Sequence, residues 1–477
     1  MPLRELLLIA ISVGLVVVSF AKPFWGLCGW FWFSVMRPDA LAWSEGKYPV
    51  AKVLGAVVLV TTLPRVLSNF LSKLRNPWLW VFVAYMVPVI LSGFFTVGPM
   101  LSPDRFGAFL RLALMALLIP LAIETVEELK VFLAVVAGAM GFVGAKFGAW
   151  SLIHGGATFL TGYSRQYDNN TLGLAFAIAT PLCWYTASAM RQHYFKLGFV
   201  AMSFLSGMAA VMTTSRGAAL SLMASVGYIM LRSRQKVAVV LLILLGMGPG
   251  IYLVQDQVLA RVTSSAAEAS AMSRLTLARI AIEMWKDHPV LGVGFGGRNF
   301  IALASNYAGR QIIHNAHNSW LQVFADSGTF AGVFYLILVF GQIAWLSLSV
   351  RSIRRLRPDL LPLPYMLQAG LMAFAIDATF HSFHRMELSY VLLLSTVAWY
   401  RFSKAVAEEL ATETASEQAA PASTQALAPV GLASRLQAAR QIVHAARLSK
   451  AGSPRLPTTG IATRLKTALR VNPHQPR

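Results

Sequence analysis

Long apolar runs broken by short polar connections dominate residues 3–400. Their lengths are those of membrane-crossing helices: a bilayer core of about 30 Å takes roughly 17–25 apolar residues per helix. The runs cover 3–21, 24–36, 48–63, 77–97, 106–123, 131–153, 171–190, 197–213, 218–231, 237–254, 324–350, 361–380 and 388–400. The first two are either separate spans or one hairpin broken at Lys22-Pro23, so the pattern predicts an all-α polytopic membrane protein with about twelve or thirteen transmembrane helices. No cleavage site follows the first run, which is therefore expected to stay in the membrane.

Two segments depart from this rhythm. Residues 255–316 form a long connection with a helical pattern of its own, in which Leu275, Ile280, Ile282 and Trp285 are apolar beside Arg274, Arg279 and Lys286. The tail, 402–477, is rich in Ala, Pro, Ser and Thr and is basic. Within it, Leu432, Leu436, Ala439, Val443 and Ala446 share a helical face edged by Arg435, Arg440, Arg447 and Lys450. That pattern fits a helix on anionic lipid, and the composition fits a disordered tail equally.

Charge turns this pattern into a topology. Only 13% of the 477 residues are charged while 56% are hydrophobic, so most of the surface must face lipid. A net charge of +21 in a soluble protein would point to nucleic acid. Here the charge collects in loops and tail, so membrane lipids are the expected partners and nucleic acid is not. Arg65/Lys73/Arg75, Arg191/Lys196, Arg232/Arg234/Lys236 and Arg351/Arg354/Arg355/Arg357 fall in alternate connections, which the positive-inside rule places in the cytoplasm with the tail. The intervening connections, 98–105, 154–170, 214–217, 255–316 and 381–387, then lie outside. Cys28 and Cys183 sit within apolar runs and read as small buried hydrophobes.

Four stretches could carry chemistry, each with a structural reading beside it. In "HNAHNSWLQVFADSG", His314 and His317 with Asn315 and Asn318 stand where the long loop returns to the membrane. Imidazole accepts a proton near neutral pH, but such residues also cap incoming helices. In "TTSRGAAL", Arg216 stands between two apolar spans and either grips an anion or snorkels to headgroups. In "SRLTLARIAIEMWKDHPVLGVGFG", Arg274 and Arg279 offer planar guanidinium groups suited to phosphate, five residues apart and hence not stacked on one helical face. In "YSRQYDNNTLGL", the Asp168-Asn169-Asn170 triplet precedes a span and can cap it or meet a sugar hydroxyl. Lys146 is a further polar residue inside an apolar run. No Cys/His cluster has metal spacing and no HExxH string occurs, which favours a mechanism with neither metal nor cofactor.

Taken in order, "DNN" before a span, "SRG" opening a span, "SR…W…HPVLGVG" in the long loop and "HN…L…G" at the returning helix resemble the O-antigen ligase/polymerase superfamily of bacterial envelope glycosyltransferases. Within it they are similar to the ligase branch, including the exosortase-associated O-glycosylation ligases. The resemblance covers about residues 1–401, with a periplasmic loop at about 255–318, and leaves 402–477 outside as a cytoplasmic tail.

The resemblance implies a multi-pass inner-membrane enzyme whose site faces the periplasm. Its donor would be a glycan on undecaprenyl diphosphate, and its acceptor a hydroxyl of lipid A-core or of a protein. By motif, His317 maps onto the family's essential histidine, and Arg216 and Arg274 onto its arginines, with Arg279 as a neighbour. Asp168, Asn169, Asn170, His314 and Asn318 would be sugar or acceptor contacts. Asp326-Ser327-Gly328 stands where relatives often carry Glu-x-Gly. Direct inverting displacement at the anomeric carbon would follow, without ATP or metal. A polymerase of the same superfamily is the nearest alternative. A lipid-linked oligosaccharide flippase is another, although it should place ionisable residues at mid-membrane rather than at one face.

Overall fold

A computed structural model describes residues 3–44, 46–97, 101–154, 168–233, 236–249, 251–253, 255, 265–309 and 314–419. The expected tail helix at 431–450 lies outside the described residues, as do most of 155–170 and part of the long loop. Residues 1–410 form one compact unit and 411–477 a second. The expected domain boundary at 401/402 falls inside a helix, Glu387–Ala419.

The described residues are helical without strands. In chain order the helices used below are α1 (Leu3–Ala21), α2 (Pro23–Met36), α3 (Val50–Leu67), α4 (Pro77–Phe94), α5 (Pro103–Ala122), α6 (Val126–Ile153), α7 (Asn169–Ala189), α8 (His193–Met212) and α9 (Arg216–Arg232). They continue with α10 (Ser265–Asp287), α11 (Arg298–Ala308), α12 (Ser319–Leu336), α13 (Pro362–Asp377) and α14 (Glu387–Ala419). Among the described residues nine helices are long and apolar enough to cross a membrane, with α12 counted together with its continuation to Leu356. The predicted spans at 24–36, 218–231, 237–254 and 388–400 fall on α2, on α9, on a short helix running into a π-helical turn (Lys236–Leu241, Leu242–Met247) and on α14. The chain is therefore an all-α, polytopic membrane protein. Pro23 separates α1 from α2, and Gly26 lies so close to Ser19 that the two helices meet as a hairpin.

Helix α7 is the axis of the bundle, packed by α6, α8, α9 and α13, and most of its side chains are buried. Polar side chains in such spans have no water to turn to, so they bond back to their own helix. Ser12, Thr62 and Thr396 donate to the carbonyls of Leu8, Val58 and Leu392 at 2.6, 2.6 and 2.9 Å. At one end of the bundle Arg65 pairs with Glu128 at 2.8 Å, and Arg401 donates to the carbonyl of Pro120 at 3.2 Å, satisfying the open C-terminus of α5. Cys28 and Cys183 are buried and unpaired.

The long loop builds a cap with its own small core. Leu277, Ile280, Ala281 and Met284 of α10 pack with Val293, Phe300 and Ala304 and with Ala325 of α12. The buried stripe thus differs from the expected one: Leu275 is 66% exposed, because it stands five residues, or about 140° of helix rotation, from Ile280.

The predicted continuous span 324–350 is broken instead. Gly328 takes φ 80 and ψ −175, which ends the helical ladder, and a side chain there would meet the carbonyl oxygen of Val290 at 2.1 Å. The carbonyls released by the break are taken up by the "PVLGVG" segment. Val293 N–H donates to Ala325 O at 2.9 Å and Gly294 N–H to Asp326 O at 3.0 Å, while Thr329 N–H donates to Pro289 O at 2.7 Å. The break sets the first half of α12, Ser319–Ser327, against the cap and leaves the remainder to run as the membrane span.

Candidate functional site

Of the polar residues singled out from sequence, Asp168, Arg216 and Asn318 fall at the starts of helices and Arg274 and Arg279 within α10, and tertiary packing gathers several of them. Helix α12 starts at Ser319, so neither His314 nor His317 is helical. Asn318 is the N-cap: its Oδ1 accepts from Leu321 N–H at 3.0 Å, and its Nδ2 donates to Thr379 O at 3.1 Å. Ser319 ties the start of α12 to the α13–α14 connection, donating through its hydroxyl to His381 O and accepting from Phe383 N–H, both at 2.7 Å. Beside these ties, His317 takes φ 49, a left-handed conformation uncommon outside glycine.

Three imidazoles converge there. The ring of His317 lies 5.7 Å from that of His314 and 6.3 Å from that of His381. His381 in turn makes a 2.7 Å hydrogen bond through Nδ1 to Oδ1 of Asp377, and both groups are buried. Gly217, next to Arg216, is what allows this pair to approach α9, since a side chain there would stand 1.9 Å from Asp377 Oδ1. Burial is the first cause holding His317 down to a pKa of about 4. The charge of Arg274 and the neighbouring His381 and His314 add to it, and Asp168 opposes it. At neutral pH His317 is thus an uncharged imidazole, able to accept a proton.

The arginines divide. Arg274 is half-buried; burial first, then the charge of Arg216, pulls its pKa down, and Asp377 opposes this. Arg216 opens α9, exposed, behind the Ser215 cap. Neither arginine forms an ion pair among the described residues. Two guanidinium groups close enough to repel, beside a neutral histidine, make a place for an anion. Arg279 is not brought into this group: it is 81% exposed on another face of α10 and bonded to Glu283 at 2.8 Å.

Asp168 caps α7, its Oδ1 accepting from Thr171 N–H at 2.7 Å, with Asn169 and Asn170 in the first turn. Asp168 is also close enough to act electrostatically on His317 and Asp377. Lys146 stays exposed on α6. Asp326 does not face His317. It is fully buried, accepts from Gln322 Nε2 at 2.7 Å, and lies 3.8 Å from His384.

His381 and Asp377 were not among the residues singled out from sequence. The available signal was "DATFHSFHR", an Asp and a His four residues apart at the end of a span. Adjoining the cluster is an open cavity of about 890 Å³. Asp168, Asn315 and Ser382 line its near side, and Trp30, Leu59, Leu112 and Met115 of α2, α3 and α5 its apolar side. No cluster of metal-ligating side chains occurs among the described residues.

Residues 201–336 match a family model described as O-antigen ligase. That stretch contains Arg216, Arg274, His314, His317 and Asp326, while Asp168, Asp377 and His381 lie outside it. No curated protein matched the chain.

Proposed function

We propose, with the match of residues 201–336 to a family model described as O-antigen ligase as support, an enzyme that moves a glycan from undecaprenyl diphosphate to a hydroxyl of an acceptor, lipid A-core or protein, at the periplasmic face. The observation that carries this reading is the convergence of Arg274 on α10 with Arg216, His317 and the His381–Asp377 pair at the ends of α9, α12 and α13.

Arg216 and Arg274 hold the donor's diphosphate and meet the charge that develops on it as it leaves. His317, neutral at physiological pH, accepts the proton of the acceptor hydroxyl. That oxygen attacks the anomeric carbon, a new C–O bond forms, and the old sugar–phosphate bond breaks with its electron pair on the phosphate. Attack from the face opposite the leaving group inverts the anomeric centre. Asp377 holds His381, and His381 flanks the His317 ring, so this pair positions the base rather than reacting. Cleavage of the sugar–diphosphate bond drives the reaction, with no demand for ATP.

The orientation proposed here rests on the positive-inside rule, which takes the connections carrying Arg65/Lys73/Arg75, Arg191/Lys196 and Arg351/Arg354/Arg355/Arg357 as cytoplasmic. Helix α5 runs from the cavity to Ala122, beside Arg65 and Arg401. The site then faces the periplasm, with the tail inside.

The test is reconstitution of the full chain in nanodiscs with a defined undecaprenyl diphosphate glycan and candidate acceptors. Transfer in a single turnover, with release of undecaprenyl diphosphate and inversion at the new bond, is expected. In cells, deletion should strand long glycan on the lipid carrier; single repeats left on the acceptor would identify a polymerase instead.

A further inference from the structure

The end of the bundle opposite His317 holds another meeting of helices, which the transfer chemistry does not use. Tyr228 near the end of α9, Tyr365 in the first turn of α13 and Tyr185 of α7 bring their rings together there, all buried. The rings of Tyr228 and Tyr185 lie 6.2 and 5.6 Å from that of Tyr365. Two arginines rest on this floor. Arg232, the last residue of α9, sets its guanidinium carbon 5.5 Å from the centre of the Tyr228 ring and 5.8 Å from that of Tyr365. Arg354, in the helix that continues α12 (Gln342–Leu356), donates through Nη2 to Tyr365 Oη at 2.9 Å. The charges of both act on Tyr228, so both guanidinium groups stand over one patch.

The floor is tied down from beneath. Tyr228 Oη donates to Gln368 Oε1, and Gln368 Nε2 donates to Ile343 O at 2.9 Å and to Ser347 Oγ. Tyr185 Oη, by contrast, is buried without a hydrogen-bond partner, within reach of the Arg232 charge. Neither Arg232 nor Arg354 forms an ion pair among the described residues, and Asp359, a carboxylate at this end, is held by Arg357 at 2.9 Å. Arg351 and Arg355 add two exposed cations on the helix of Arg354. Guanidinium groups paired over aromatic rings, with no carboxylate to neutralise them, fit a phosphate.

The neighbours decide what carries that phosphate. Leu231, beside Arg232, is 83% exposed, and Leu348, one and two turns before Arg351 and Arg355, is 58% exposed. Both belong to apolar runs of membrane-spanning length, and a soluble anion would cover neither. A phospholipid covers both with its chains. A zwitterionic head would bring its own cation to the two arginines, whereas an acidic head brings none.

We propose that Arg232 and Arg354 seat the phosphate of an acidic phospholipid from the adjoining leaflet, with its chains along Leu231 and Leu348, and that the seated lipid clamps α9 to α13. The clamp matters at the far end of both helices. Helix α9 carries Arg216 at the other end of its 17 residues, about 25 Å away, and α13 carries Asp377. One lipid thus fixes the spacing of two helices on which the histidine–arginine cluster is built.

The experiment uses the full chain in mild detergent, titrated with phosphatidylglycerol or with phosphatidylcholine of the same acyl chains. Binding is read by native mass spectrometry, and the clamp by melting temperature. The first phosphatidylglycerol should bind more tightly than phosphatidylcholine and raise the melting temperature. Arg232→Gln and Arg354→Gln should each weaken that binding by about tenfold, the scale of a lost charge-assisted bond, and remove most of the rise. Arg191→Gln, which removes an exposed cation from the α7–α8 connection assigned to the same face, should behave as the wild type. Arg354 also holds Tyr365, so lipid-bound and lipid-free protein are compared within each variant, and Arg232→Gln decides if Arg354→Gln fails to fold.

Equal binding of the two lipids by the wild type, or equal losses in Arg191→Gln and Arg232→Gln, overturns the proposal and leaves only the general attraction of a basic face. Displacement of the lipid by excess inorganic phosphate overturns it too, identifying a site for a soluble anion. Tight binding without a rise in melting temperature overturns the clamp. None of these measurements involves glycan transfer, so they stand whether or not the transferase reading does.

Discussion

Two histidine–carboxylate pairs flank the first half of α12, and they are built to opposite ends. His381 and Asp377 share a 2.7 Å hydrogen bond, and the His381 ring faces His317. His384 and Asp326 stand 3.8 Å apart with no hydrogen bond between them, both fully enclosed by protein. Asp326 is anchored by Gln322, whose Oε1 in turn accepts from Ala316 N–H at 2.9 Å. Burial and the charge of Arg385 hold His384 well below the usual histidine range, so it stays neutral. The same two residue types therefore stand against the His317 ring in one place and at the joint between cap and membrane span in the other. What separates them is the neighbour: only the first pair borders His317.

The sharpest way to break this comparison is at the base. His317→Ala should slow single-turnover transfer by about 10²–10⁴-fold at saturating donor, the range for a lost general base, while donor binding persists. His314→Ala should cost far less, since His314 is exposed and stands one ring further from His381. A dead His314→Ala with a nearly active His317→Ala would move the base to His314. Normal transfer in both would leave arginine electrostatics as the main catalytic effect.

Arg274 comes next. Arg274→Ala should lose most activity and Arg274→Lys recover only part, because an ammonium lacks the planar fork. The charge of Arg274 also helps hold His317 at about 4, so its removal should raise that pKa towards 6.5. A base works when deprotonated, so activity lost on acidification should set in at higher pH in Arg274→Ala than in the wild type. A pH–rate profile for kcat/KM reads this directly, and an unmoved acid limb would count against contact between the two groups.

Gly328→Ala tests the interior side. With φ 80 and the Val290 oxygen 2.1 Å from any added carbon, it should cost at least about 3 kcal/mol of stability, read as lower Tm and abundance. The activity that remains per folded molecule should keep the wild-type pH profile, because the change touches the joint and not the base. The smallest effect is expected of truncation after Leu410, at the edge of the compact unit. Transfer should be unchanged within error, and a reporter fused after Ala420 should be active only in the cytoplasm. Periplasmic activity would reverse the topology.

The apolar runs alone determined that this chain is a helical membrane protein, because transfer of about twenty apolar residues into lipid is favourable whatever their neighbours do. Local rules also sufficed for the caps at Asp168 and Asn318, since a cap is a contact between residues three apart. Motif order named Arg216, Arg274 and His317 as candidates, and packing brings the three together. Tertiary structure decided the rest. Of two arginines five residues apart, it turned Arg274 to the cluster and left Arg279 on Glu283, a choice set by which face of α10 packs on the cap. It broke α12 at Gly328, where segments about thirty to forty residues apart in sequence exchange hydrogen bonds that no window of hydropathy contains. It also carried His381, sixty-four residues beyond His317, against that ring, with Asp377 behind it. Such pairings depend on how α9, α12 and α13 pack, and packing is a property of the assembled bundle rather than of any one span.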